Sequence, residues 1–142
     1  MQRFLNNFAR IFRPHIARPG GTISLYTPTE QEGAITNYYK ALEVSFPKTF
    51  KKDPPIFFRT VGFGAVWRAF PYIFNLTQSR HKTFSVAAIS KVFSEIHDFD
   101  FEKWAEAGSG SAAEIAAGDD LIAALEEAYA NEDGNFIGLK LD

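Results

Sequence analysis

The sequence predicts a mainly α fold: a compact bundle of five or six helices with at most a small two-stranded antiparallel ribbon, in one domain over residues 1–142. Three observations carry this expectation. Apolar residues recur at helical spacing in segment after segment. Helix starts are marked by capping signals at Thr27 and Ser111, and Pro47 stops one helix. Hydrophobic residues make up 46% of the chain and include 15 phenylalanines, enough to build a large aromatic core at this length.

The first element, residues 1–12, reads as a helix whose apolar face holds Phe4, Leu5, Phe8, Ile11 and Phe12, with Arg3, Asn6, Asn7 and Arg10 elsewhere. The run from Arg13-Pro14-His15 to Pro19-Gly20-Gly21 breaks it. With no acid before Glu30, the segment has the look of a targeting or membrane-surface helix. The absence of serine before Ser24 favours a core helix instead. Residues 22–26 alternate in polarity and read as a short strand. Thr27 then caps a helix, with Pro28 at its first position and Glu30 completing a capping box. That helix reaches about Phe46, and its buried face takes in Ala34, Ile35, Tyr38, Tyr39, Leu42 and Phe46.

A basic loop follows from Lys48 to Asp53-Pro54-Pro55, and residues 56–58 read as extended. From about Thr60 a helix carries Val61, Ala65, Val66, Ala69 and Phe70, and Pro71 kinks or ends it. Gly62 and Gly64 on it permit close backbone approach. Thr83 or Ser85 caps the next helix, with Val86, Ile89, Val92, Phe93 and Ile96 buried. Asp100 caps a short helix holding Phe101 and Trp104. Gly108-Ser109-Gly110 is a flexible break, and Ser111 with Glu114 forms a second capping box. The helix it opens contains Ile115, Leu121, Ile122, Leu125 and Tyr129 and ends at residues 131–134. Residues 136–141 read as a last strand, pairing with residues 22–26.

Composition excludes several classes of function. The chain has no cysteine, so disulfides, thiolate metal sites and a cysteine nucleophile are ruled out. That fits a reducing compartment, and a cytoplasmic location is expected. No stretch approaches the roughly 20 apolar residues of a membrane span. The net charge of −2 conceals a division: residues 1–91 carry +9 and residues 92–142 carry −11. Such a split marks either a nucleic-acid or partner surface, or two halves that compensate each other within the fold.

For catalysis the residues offer little. His15, His81 and His97 are scattered without metal-ligand spacing, and no serine stands in a nucleophile-elbow pattern. Glu95, Asp98, Asp100 and Glu102 form an acidic cluster able to attract a hard cation, but acids are favoured at a helix start in any case. Gly62-Phe63-Gly64 resembles a fragment of a phosphate loop without its third glycine or leading strand. No catalytic, cofactor-binding or metal residue is assigned, and no cofactor is expected. An enzyme would need a deep pocket with convergent polar groups, for which Asn37, Tyr38, His81 and His97 are the candidates.

The basic half offers more. Arg3, Arg10, Arg13 and Arg18 cluster early, Lys48, Lys51 and Lys52 sit in one loop, and Arg80 and Lys82 in another. Interleaved with Phe50, Tyr38 and Tyr39, these could meet phosphates and stack on bases. The sequence pI near 5.9 and the absence of a reader motif weigh against a dedicated nucleic-acid binder.

Three segments together resemble a known family. Ile35-Thr36-Asn37-Tyr38-Tyr39-Lys40-Ala41-Leu42 with Phe46-Pro47, then residues 58–66 (Phe-Arg-Thr-Val-Gly-Phe-Gly-Ala-Val), then the glycine- and serine-rich break before a last helix, look like the C-terminal helical region of DGQHR-domain proteins. The resemblance covers roughly residues 30 to 130, and the Asp-Gly-Gln-His-Arg run that names the family is absent. It implies a bacterial or phage setting and an accessory role in DNA modification or defence, with no catalytic residue carried over. The expected function is therefore a non-enzymatic interaction domain with a protein partner, and direct nucleic-acid binding through the basic half is the alternative.

Overall fold

The computed structural model describes the backbone of residues 2–106, 108 and 110–141, and the side chains of these residues as far as 130. Six α-helices appear among the described residues: α1 (Gln2–Ile16), α2 (Pro28–Ser45), α3 (Pro47–Phe50), α4 (Thr60–His81), α5 (Val86–Ser94) and α6 (Ser111–Leu141). Two 3-10 turns, Ile56–Phe58 and Phe101–Glu106, complete the architecture. The fold is mainly α, as the periodicity predicts.

Helix α4 is the axis of the molecule. Its buried residues Ala65, Val66, Ala69, Phe70 and Ile73 join one core that extends from Leu5 to Tyr129. Helix α2 lies antiparallel to it: Tyr39 packs on Trp67, Tyr38 on Phe70, and Tyr26, just before α2, on Phe74. Helix α1 runs antiparallel to α2, with Phe8 against Tyr39 and Arg13 reaching Gln31. Helix α6 runs parallel to α4, since Gly64 meets Glu114 while Arg68 meets Gly118 and Asp119. Helix α5 covers the opposite side of α2, bringing Phe93 onto Phe46.

The capping box forms as expected: Thr27 N–H donates to Glu30 Oε1 at 2.9 Å, and Glu30 N–H donates to Thr27 Oγ1 at 3.2 Å. Ser85 rather than Thr83 caps α5, accepting from Ala88 N–H at 3.1 Å. Asp100 accepts from Glu102 N–H at 3.0 Å, so its carboxylate serves the turn it precedes.

Several boundaries differ from the sequence expectation. No strand and no ribbon occur among the described residues. Residues 22–26 fold into turns because Gln31, buried in α2, donates to the carbonyls of both Ile23 and Tyr26 at 2.9 Å. Those acceptors are then lost to a ladder, and Ile23 is buried while Leu25 faces solvent. Residues 136–141, read as the partner strand, lie in α6, which also passes through 131–134 where an end was expected.

Ser111 is the first residue of α6 and not its cap: Glu114 N–H donates to Gly110 O at 3.1 Å, so the second capping box does not form. Helix α1 continues through Pro14, which removes only the bond to Arg10 O, and Ala17 N–H reaches Arg13 O at 2.9 Å. Ile11, placed on the buried face, is 66% exposed, because Leu5, Ala9, Phe12 and Ile16 centre that face away from it. Helix α4 likewise passes Pro71, which lies on its open side, and Ile73, Phe74 and Thr77 beyond it are buried. The basic loop contains α3, and residues 56–58 form a 3-10 turn instead of an extended segment.

Candidate functional site

The nine basic residues singled out in the sequence divide between the two ends of α4. Its 22 residues span about 33 Å at 1.5 Å per residue. At its N-terminal end stand Lys48, Lys51 and Lys52, because Phe50 between them packs on Phe57 and Phe58. Arg3 joins that end, since the neighbouring Phe4 ring meets Phe58 edge-on at 5.1 Å. At the other end stand Arg80 and Lys82, together with Arg13 near the end of α1, whose side chain reaches Gln31 at the start of α2, and Arg18 in the turn between those helices. Arg10 lies between, on the exposed side of α1. The nine do not converge on one face.

Several of them are engaged within the fold. Arg13 Nη1 donates to Gln31 Oε1 at 3.2 Å, and its Nε lies 3.5 Å from Glu32. Lys52 pairs with Glu102, Arg80 lies over the Tyr129 ring at 4.8 Å, and Lys82 donates to Ser79 O at 3.0 Å. Lys52–Glu102 and Arg68–Asp119 join the basic half to the acidic half, so part of the charge split is compensated internally. These pairs are exposed, and each is worth about 1 kcal/mol or less. The aromatic residues considered as base-stacking partners, Tyr38, Tyr39 and Phe50, are all buried and cannot stack on a nucleic acid. Their helical spacing places them on the core side.

The residues considered for an enzyme pocket are also dispersed. Asn37 lines a cleft of about 340 Å³ between α2 and the end of α4, where its Nδ2 donates to Phe84 O at 3.1 Å. Tyr38 is buried and donates to Val66 O. His81 borders a different hollow with Glu95 and Lys91, and His97 Nδ1 sits 3.1 Å from Ser94 O at the end of α5. His15 stacks on Phe12. Among the described residues, no group of three or more His, Asp or Glu is placed to hold a metal ion. No helix of the described chain is long and apolar enough to cross a membrane.

The open side of α4 has a different character. Trp67, Gly64, Pro71 and Ile115 line a cleft of about 400 Å³ between α4 and α6. Trp67 is fixed there by a hydrogen bond from its Nε1–H to Tyr39 Oη at 3.0 Å, and Tyr39 in turn donates to Phe57 O at 3.0 Å. Beyond Trp67 the surface continues onto α1: Phe12 packs on Trp67 at 5.0 Å, Phe8 on Phe12 at 5.3 Å, and Phe4 on Phe8 at 6.4 Å. Phe4 is 51% exposed, Ile11 66% and Ile115 45%. Sequence reasoning placed Phe4 and Ile11 in the core. The signal it lacked was which edge of the wide α1 stripe the rest of the chain would leave open.

Comparison with models of protein families, with curated proteins and with solved structures finds no match.

Proposed function

We propose that this chain is a non-enzymatic interaction domain, accessory to a bacterial or phage DNA-modification or defence system, and that it takes a protein partner on the open side of α4. The setting rests on the resemblance of residues 30 to 130 to the helical region of DGQHR-domain proteins. The working surface rests on the aromatic strip from Phe4 across Phe12 and Trp67 to Ile115. Apolar patches that are contiguous, exposed and held rigid are uncommon on monomers and suit a partner's side chains.

The test is affinity capture from a lysate of the source organism, comparing the wild type with the double variant Ile11→Glu, Ile115→Glu. Both residues are exposed, so the variant should fold normally. The expected result is a specific protein retained by the wild type and lost from the variant. Retention by both would move the interface off this face, and capture of nothing by the wild type would count against an interaction domain.

A second reading, direct nucleic-acid binding, is favoured by the grouping of Arg3, Lys48, Lys51 and Lys52 around the start of α4. It predicts binding to duplex or single-stranded DNA that weakens steeply with salt and is lost in Lys48→Glu, Lys51→Glu. Unchanged binding in that variant would remove this reading.

A further inference from the structure

We infer that the partner on the open side of α4 is a second copy of this chain, in a two-fold dimer that lays α1 of each copy on α6 of the other. The inference rests on the reading of that side as a protein interface and names its occupant.

Three helices make the surface, and they run the same way. Phe8 and Phe12 of α1 pack on Phe63, and Phe12 also packs on Trp67, one turn further along α4. Gly64 and Arg68, again one turn apart, meet Glu114 and Gly118 of α6. Trp67 leans on α1 and the next residue, Arg68, on α6, so α1 and α6 flank the open side of α4 as two parallel rims. Phe12 faces α4 and Arg13 reaches α2, so Ile11, one position back, is turned toward the open side. On the other rim Ile115 lines the cleft beside Glu114. Ile11 and Ile115 therefore stand at the same height along α4, and they are 66% and 45% exposed.

Charge decides which rims meet. Helix α1 carries Arg3, Arg10 and Arg13 and no acid. Helix α6 carries Glu114, Asp119, Asp120, Glu126 and Glu127 and no base as far as residue 130. Among the described residues Arg3, Arg10 and Glu114 form no ion pair within the chain. A two-fold axis along the open side of α4 leaves each residue at its own height and exchanges the two rims. Ile11 of one copy then meets Ile115 of the other, twice over, and each basic α1 lies on an acidic α6. An axis across the helices would set α1 on α1, base against base. Ala112 and Ala116 beside Ile115 are exposed too, and their short side chains admit the incoming helix.

The absence of cysteine makes this register testable by cross-linking. Ile11→Cys and Ile115→Cys are single changes at exposed positions, and a short bis-maleimide joins thiols that a dimer holds side by side. Mixing the two variants and allowing subunits to exchange is expected to give a cross-linked dimer in high yield. Either variant alone should give little.

Sedimentation velocity of the untreated wild type should show a dimer that weakens with added salt, because the facing helices carry opposite charge. Ile11→Glu should weaken association roughly tenfold or more, with the helical circular dichroism of the wild type retained.

Cross-linking of Ile11→Cys to itself, or of Ile115→Cys to itself, would overturn the axis assigned here. A dimer that Ile11→Glu leaves intact would place the contact elsewhere and overturn it as well. A wild type that sediments as a monomer up to its solubility limit overturns the dimer outright. That result leaves the protein-interface reading standing if the wild type captures a different protein that the Ile11→Glu, Ile115→Glu variant loses; failure of both removes the interface. Binding of the monomer to anionic phospholipid vesicles, lost in the same variant, would assign the basic, apolar edge of α1 to a membrane surface and also overturn the dimer.

Discussion

Gly62→Ala is expected to destabilise the fold by about 3 kcal/mol or more, a larger loss than alanine at Gly64 or Gly33 should cause. A Cβ at position 62 would sit 1.9 Å from Ile56 O and 2.7 Å from the carbonyl carbon, both of them backbone atoms. Relief by a rotamer change is therefore closed off. The Ile56 carbonyl is also held by Arg59 N–H, and the turn that carries it is pinned by Phe57, which is completely buried between Phe50 and Phe101. Moving the turn would pull that ring from its place. Gly64 presents a milder case, because a Cβ there meets the flexible Glu114 side chain. Gly33→Ala is the control: Gly33 is an exposed position inside α2 with open space around it, so alanine should stabilise the helix by about 0.5–1 kcal/mol. Urea unfolding of the two variants beside the wild type reads both signs. Equal midpoints for Gly62→Ala and the wild type would show that the turn does not press on α4 as described.

The same turn shows which parts of the molecule were legible in the sequence. The start of α2 was fully written locally: Thr27, Pro28 and Glu30 lie within four residues, and their mutual hydrogen bonds need nothing else. The stripes of α2, α4 and α5 followed from spacing alone, and nearly all the residues assigned to them are buried. Errors arose where a distant partner decides the local state. Residues 22–26 alternate like a strand, yet Gln31 takes two of their carbonyls, and that competition is invisible in the pattern of polarity. Pro14 and Pro71 read as breaks, but each costs one backbone bond while the residues beyond them bury apolar side chains in the core.

Function was harder to read for the same reason. The charge split allowed either a partner surface or two halves that compensate each other, and only the fold shows that Lys52–Glu102 and Arg68–Asp119 compensate it in part.

Above about pH 10 the protein should lose stability at roughly 3 kcal/mol per pH unit, from Tyr38 and Tyr39 together. Burial pushes both phenols well above the ordinary tyrosine value; for Tyr38 the neighbouring Tyr39 adds to this, and for Tyr39 the hydrogen bond from Trp67 partly offsets it. In the unfolded chain each would ionise near pH 10, while in the fold each keeps its proton. The unfolded state then binds fewer protons than the native state, so the contribution of these two groups to stability is constant below about pH 10 and falls as pH rises beyond it. The native state has strong reason to resist ionisation. Tyr38 donates to Val66 O from a fully buried position, and Tyr39 donates to Phe57 O, so loss of either proton would leave a phenolate facing a carbonyl inside the aromatic core. Tyrosinate absorbance and helical circular dichroism, recorded on one alkaline titration, are expected to change together in a single cooperative step. Tyr38→Phe should remove about half of the slope and cost about 1 kcal/mol at neutral pH, because Val66 O lies inside α4 and keeps its helical partner. Tyr39→Phe should remove the other half yet cost more at neutral pH, since both Trp67 Nε1–H and Phe57 O lose the hydroxyl that joins them. Tyrosine ionisation well before the loss of helix would mean that these phenols reach solvent in the folded chain. In that case the bond from Trp67 through Tyr39 to Phe57 could not be what fixes the open side of α4 to the turn at its start.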